Sequence, residues 1–160
     1  MPQTNDRLEA VQQSVVVDCP IEDTFELFTK AFGDWWPAAL YSHSGEDVDT
    51  CVMEPWLDGR VFERTRSGEE VLWGSILEWD PPQHLRFSWN LSGRDQDDRE
   101  IVDVRFDVDA DGTKVTVVHS GWELSGVAVN AIQMQGAAMW PAVLTQFFLR
   151  FVGEHALVMV

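Results

Sequence analysis

Between Val48 and Ser120 the chain repeats one pattern six times: a run of alternating apolar and polar residues, closed by turn chemistry. Successive side chains of an extended strand point to opposite faces, so a period of two marks a strand with one buried side. The runs are Val48–Glu54, Arg60–Arg66, Glu70–Trp79, Leu85–Leu91, Ile101–Val108 and Thr113–Ser120. Leu85, Phe87, Trp89 and Leu91 oppose His84, Arg86, Ser88 and Asn90; Val102, Val104, Phe106 and Val108 oppose Ile101, Asp103, Arg105 and Asp107. The breaks are Asp58-Gly59, Ser67-Gly68, Pro81-Pro82, Ser92-Gly93 and Asp111-Gly112. Such pairs favour tight turns. Breaks this close together leave room for hairpins, not crossovers, so the runs predict an antiparallel meander. One face of that sheet must be covered.

The flanks supply the cover. Val15, Val16 and Val17 predict a first strand over Gln12–Asp18. Pro20 suits a helix start, with Glu22 and Asp23 at the positive end of the helix dipole. Ile21, Phe25, Phe28 and Phe32 share one helical face, and Gly33 is expected to end the helix. Trp35-Trp36-Pro37 reads as a turn or a second short helix. After a stretch with no clear period (121–136), Trp140-Pro141 opens a long apolar helix with Trp140, Leu144, Phe147 and Phe151 on one face. Val143 and Phe148 widen that stripe. The expected fold is α+β: a curved antiparallel sheet wrapped around a long C-terminal helix, in one domain over residues 11–160, with residues 1–10 frayed. A curved sheet gripping one helix often cannot fill the space between them, and that space becomes a pocket.

Composition narrows the partners. The chain has 11 Lys+Arg against 27 Asp+Glu, a net charge of -16, and no basic run. Nucleic acid and anionic membranes are therefore not expected partners. The 8 Trp and 9 Phe oppose disorder, because each ring buries a large area. No apolar run approaches a membrane span, and the start lacks a signal-peptide pattern. Cys19 and Cys51 have neither CxxC spacing nor a His cluster, so no metal or cofactor is expected. The reading is a cytoplasmic protein with reduced thiols. Arg outnumbers Lys nine to two, as in GC-rich bacterial genomes.

The motifs Phe25-Glu26-Leu27-Phe28-Thr29, Trp35-Trp36-Pro37, Glu54-Pro55 and Gly59-Arg60-Val61-Phe62-Glu63-Arg64 occur in that order. They are followed by Trp73-Gly74-Ser75-Ile76-Leu77-Glu78-Trp79-Asp80-Pro81-Pro82, Leu85-Arg86-Phe87-Ser88-Trp89, Gly112-Thr113-Lys114-Val115, His119-Ser120-Gly121 and Trp140-Pro141-Ala142-Val143-Leu144. Over residues 12–152 the chain resembles the START-like (SRPBCC) superfamily with the helix-grip fold, in the branch similar to the heat-shock-protein-90 ATPase activator. The resemblance implies an apolar cavity between sheet and C-terminal helix. The superfamily spans lipid and hormone carriers, polyketide cyclases and co-chaperone domains, so the fold alone does not choose among them. The activator carries much of its machinery in a further N-terminal domain, for which this chain has no room.

Trp35, Trp36, Phe62, Trp73, Trp89, Phe106, Trp140, Leu144 and Phe147 are the expected ligand-binding residues, with Trp35 and Trp36 as a lid. Broad indole faces suit a planar apolar ligand, against the plainer reading of a packed core. His119, at the end of the last strand on the face of Val115 and Val117, is a candidate acid or base. Glu63, Arg64 and Arg105 are candidates for charge in the pocket, against the alternative of outward cross-strand ion pairs. Asp107-Val-Asp109-Ala-Asp111-Gly112 begins like a calcium loop but has Val118 where the bidentate Glu belongs, so it reads as a hairpin. Arg94–Glu100 reads as a solvated loop. Three functions follow, in order: binding of a small hydrophobic or aromatic molecule; a cyclase- or hydratase-like enzyme using the same pocket; and an interaction domain or homodimer displaying an apolar patch at Trp35-Trp36.

Overall fold

A computed structural model describes residues 11–90, 100–120 and 139–159, with side chains in the last helix described through residue 154. The expectations for residues 1–10, for 94–99 of the charged loop and for 121–136 lie outside the described residues, as does the His155 side chain. The chain forms strand β1 (Val11–Val17), helices α1 (Ile21–Thr29) and α2 (Phe32–Trp35), and strands β2 (Val48–Met53), β3 (Arg60–Thr65) and β4 (Glu70–Asp80). Strands β5 (His84–Ser88), β6 (Ile101–Asp109) and β7 (Gly112–Ser120) follow. The C-terminal helix, α3, covers 139–159, with a π-helical section at Val143–Phe148 and α-helix from Leu149 to Met159.

The seven strands make one antiparallel sheet in the order β1-β7-β6-β5-β4-β3-β2. Sequence neighbours from β2 to β7 pair as the meander requires, and β1 closes onto β7 with Val15 opposite Val115. The sheet is curled into a half-barrel around the C-terminal helix. Register shifts between Val48 and Thr50, Val61 and Phe62, and Ile76 and Glu78 lie in the β2–β5 half. Bulges bend a strand and increase its twist, so these irregularities are the physical source of the curl. Gly74 and Gly112 allow close packing elsewhere: a Cβ on Gly74 would meet the Ser88 carbonyl oxygen, and one on Gly112 the Val17 carbonyl oxygen.

The inner face holds Ile76, Leu85, Phe87, Val102, Val104, Phe106, Val115 and Val117, all essentially inaccessible. This is the predicted alternation, except that Val108 lies beyond the core and is exposed. The Asp107–Gly112 segment is the β6–β7 hairpin, with Asp109 paired to Gly112 and Ala110 in the left-handed region at φ 54°. Helix α1 ends at Thr29, earlier than the sequence suggested. Gly33 instead sits inside α2, where its missing side chain lets the helix touch the Cys51 carbonyl of β2.

Candidate functional site

Among the described residues, aromatic rings gather between the sheet and α3. Trp35 and Trp36 come from α2 and its C-terminus, Trp73 from β4, Trp89 from just beyond β5, and Trp140 from the first turn of α3. All five are at most 5% exposed. Trp36 is central. Its ring lies 5.9 Å from Trp73, 5.5 Å from Trp89 and 5.7 Å from Trp140, and stacks on Phe32 at 5.2 Å with a 29° interplanar angle. Trp73 and Trp89 also touch at 5.5 Å, and Trp89 and Trp140 at 5.7 Å. Tilted and edge-to-face pairs like these contribute about 0.5–1.5 kcal/mol each beyond area burial. Phe148 of α3 joins the cluster through Trp35 and Phe28, at 4.8 and 5.3 Å. Phe106 joins it through Phe28 at 5.6 Å.

Two acidic side chains reach into this apolar interior. Glu63 is fully buried. Its Oε1 accepts hydrogen bonds from Trp73 Nε1 (2.8 Å) and the His43 backbone N–H (2.7 Å), and Oε2 accepts one from the Ser44 N–H (2.9 Å). Three donors on one carboxylate offset much of the cost of removing its charge from water. Cys51, opposite Glu63 in the β2–β3 register, has its thiol pushed up to about 12 by burial first and by the Glu63 charge second. The second acid is Glu100. Its Oε1 lies 3.1 Å from His119 Nε2, while Trp140 Nε1 donates to His119 Nδ1 at 3.1 Å. An indole N–H can only donate, so Nδ1 is the accepting nitrogen and the ring proton sits on Nε2, directed at Glu100. His119 is 3% exposed and its ring faces Trp89 at 6.1 Å.

The sequence-predicted residues thus separate into two groups. Trp35, Trp36, Trp73, Trp89, Phe106, Trp140, Leu144, Glu63 and His119 all lie on the inside. Phe62 and Arg105 do not. On β3 the inner positions are Val61, Glu63 and Thr65, so Phe62 shares the outer side with Arg60 and Arg64, whose guanidinium carbons lie 4.3 and 5.5 Å from its ring centroid. Phe62 is buried beneath those cations, not within the cluster. Arg64 pairs with Glu70 at 2.9 Å. Arg105 is 62% exposed beside Asp103, because β6 turns its odd residues outward. Phe147 is only half-buried, and the adjacent Phe148 takes the inward position. Trp35 and Trp36 point inward too, so they do not form the exposed patch that the interaction reading requires.

The sequence pattern puts Glu100 in a solvated loop, whereas the structure turns it toward His119. The signal for its real place was in the hairpin register: Asp109 opposite Gly112 makes Val102 face His119. Glu100 then lies on the same face as Val102, diagonal to His119 and within reach of it. Depressions lined by described residues elsewhere lie open on the surface. One of about 350 Å³ lies at Ser44, Thr65 and Arg66, and another of about 320 Å³ at His84, Arg105 and Phe106. Among the described residues no group of three or more His, Cys, Asp or Glu is placed to hold a metal ion. None of their helices is long and apolar enough to cross a membrane.

A curled antiparallel sheet with a C-terminal helix is the helix-grip architecture of START-like (SRPBCC) proteins. The chain belongs to the family described as Activator of Hsp90 ATPase homolog 1-like protein, whose model matches residues 18–148. Among solved structures it is similar to Txn09, described as an anthrahydroquino-γ-pyrone synthase, at 33% identity and TM-score 0.56, covering 82% of this chain and 87% of that one. It is also similar to CalC of Micromonospora echinospora, described as a self-sacrificing resistance protein, at 27% identity and TM-score 0.67 (94% of this chain, 97% of that one). Protein MLL2253 of Mesorhizobium loti shares the fold at 16% identity and TM-score 0.62, covering 91% and 97%. No curated protein matches the chain.

Proposed function

We propose that this protein binds a small, planar hydrophobic or aromatic molecule between the sheet and α3. The observation that carries the reading is the interior ring cluster with two acidic groups inside it, Glu63 and the Glu100–His119 pair. An apolar, aromatic wall with a few fixed polar groups is what an orienting small-molecule site requires. The 33% identity to a protein described as forming an anthrahydroquino-γ-pyrone supports a fused-ring ligand. The same reading puts the protein in a bacterial cytoplasm, where buried Cys19 and Cys51 remain thiols.

The test is titration with dihydroxyanthraquinone, followed by tryptophan fluorescence and thermal unfolding. Binding should quench the emission and raise the midpoint with ligand concentration, as linkage demands. Unchanged emission and an unchanged midpoint at saturating probe would refute it.

A catalytic second reading is favoured by one feature, the His119 Nε2–H directed at Glu100. Such a pair can relay a proton at an enclosed carbonyl or hydroxyl. It expects His119→Gln to lower kcat for a polyketone substrate by far more than it weakens dihydroxyanthraquinone affinity. An undiminished kcat in that variant excludes the reading.

A further inference from the structure

We propose that residues 36–47 are a latched lid on this site, that the Trp36 ring occupies the place a planar ligand takes, and that Glu63 is the latch. The inference rests on the binding reading above and adds its regulation.

Three observations carry it. First, the Trp36 ring is enclosed by five other rings, those of Phe32, Trp35, Trp73, Trp89 and Trp140. It fills the centre of the site much as a bound aromatic molecule would. Second, the backbone that carries it is weakly held. From Pro37 to Ser44 the chain is turns and bends, followed by one 3-10 turn at Gly45–Asp47, and none of residues 37–47 is buried. Ala38 and Tyr41 pack on the core only in part. Beyond Trp36 the segment has few buried contacts, so the cost of opening falls mainly on the Trp36 ring, and binding-site lids are drawn from such segments.

Third, the hydrogen bonds divide at the right place. Trp35 Nε1 donates to Leu27 O, Trp73 Nε1 to Glu63, and Trp140 Nε1 to His119, so these three indoles are tied to the body of the protein. Trp36 Nε1 donates at 2.7 Å to Tyr41 O, inside its own segment. The Trp36 indole can therefore leave the cluster without surrendering that bond. Glu63 supplies the fastening, because its carboxylate accepts the His43 and Ser44 N–H groups from across the gap to β3. When the segment lifts, water reaches the carboxylate, so opening strands no buried charge.

The energetic consequence is a tax on affinity. A ligand that needs Trp36 displaced binds with its intrinsic constant weakened by the fraction of molecules that are open. Weakening the latch raises that fraction. Glu63→Gln keeps the shape but replaces one acceptor oxygen with a donor, which opposes the N–H groups of the loop. The expected result is dihydroxyanthraquinone binding about tenfold tighter than in the parent, together with a lower thermal midpoint. A lower midpoint with unchanged or weaker binding means that Glu63 supports the fold or holds the ligand and does not latch the loop, and it overturns the latch while the binding reading stands.

The unmodified protein gives an independent check by amide hydrogen exchange. Saturating probe should speed exchange at His43 and Ser44 while slowing it at the inner-strand amides. Slower exchange at His43 and Ser44 along with the rest overturns the lid. Failure of parent and variant alike to bind the probe overturns the binding reading itself, and the lid with it.

Discussion

Cys51 shows how one buried carboxylate alters its neighbours. It faces Glu63 across the β2–β3 ladder, and burial and that charge together lift its thiol from 9.0 to about 12. Below about pH 9 the thiol is protonated in both folded and unfolded chains and contributes no pH dependence. Between about 9 and 12 the unfolded chain loses the proton and the folded chain keeps it. The native state then binds more protons, so stability falls as pH rises through that window, by at most about 1.4 kcal/mol per pH unit. Urea unfolding at increasing alkaline pH should show this slope, and Cys51→Ala should reduce it by about one proton. A slope that does not change in the variant would place the thiol in solvent-like surroundings. The outer face behaves differently: hydrogen bonds from Arg60 hold the Glu54 carboxyl below its usual range, and those from Arg64 and Arg60 do the same for Glu70. These groups are exposed and screened, so they contribute little to stability.

Helix α3 depends on a departure from regularity. Regular spacing from Trp140 predicts Leu144, Phe147 and Phe151 inward. The π-helical section at Val143–Phe148 adds a residue to the turn, so the inward series becomes Val143, Leu144, Phe148 and Val152. Phe148 is inaccessible against Phe28 and Trp35, whereas Phe147 is half-buried. Phe148→Ala should therefore cost about 3–5 kcal/mol in urea unfolding and Phe147→Ala less than half of that. Equal costs would mean that the helix is regular in solution. The same contrast governs what was legible in the sequence. The strands of β5 to β7 could be read because their alternation is strict and local, and the Asp-Gly break fixed their register. The β3 phase could not, because it depends on bulges at Val48/Thr50 and Val61/Phe62 that are set by pairing partners distant in sequence. One residue of phase is what exchanges Phe62 for Glu63 inside the site. Trp35, Trp36, Trp73, Trp89 and Trp140 are all buried, but composition does not reveal whether such rings surround a space or fill it.

At the scale of the molecule, charge is sorted by side of the sheet. Every Lys and Arg among the described residues is at least partly exposed, with Arg60, Arg64, Arg86 and Arg105 on the outer face. Among the described residues the charged groups that reach inward are acids: Glu63, fully buried, and Glu100, whose side chain is 14% exposed. A ligand carboxylate placed among the rings would lose its hydration and meet acids of its own sign, whereas a phenol could donate to them. The site should therefore favour hydroxylated or neutral aromatics over anionic ones of the same shape. In a competition titration, anthraquinone carboxylate should bind about a hundredfold more weakly than dihydroxyanthraquinone, a difference of about 2.7 kcal/mol. Salt separates the two sources of repulsion. The net charge of -16 acts from the surface and is screened beyond about 8 Å at physiological ionic strength. The interior acids would lie beside a ligand bound among the rings and are screened much less. Discrimination that persists from low to physiological salt, and narrows in Glu100→Gln, assigns it to the interior. Discrimination that vanishes with salt assigns it to the surface, and equal affinities for the two probes would require a cation inside the site.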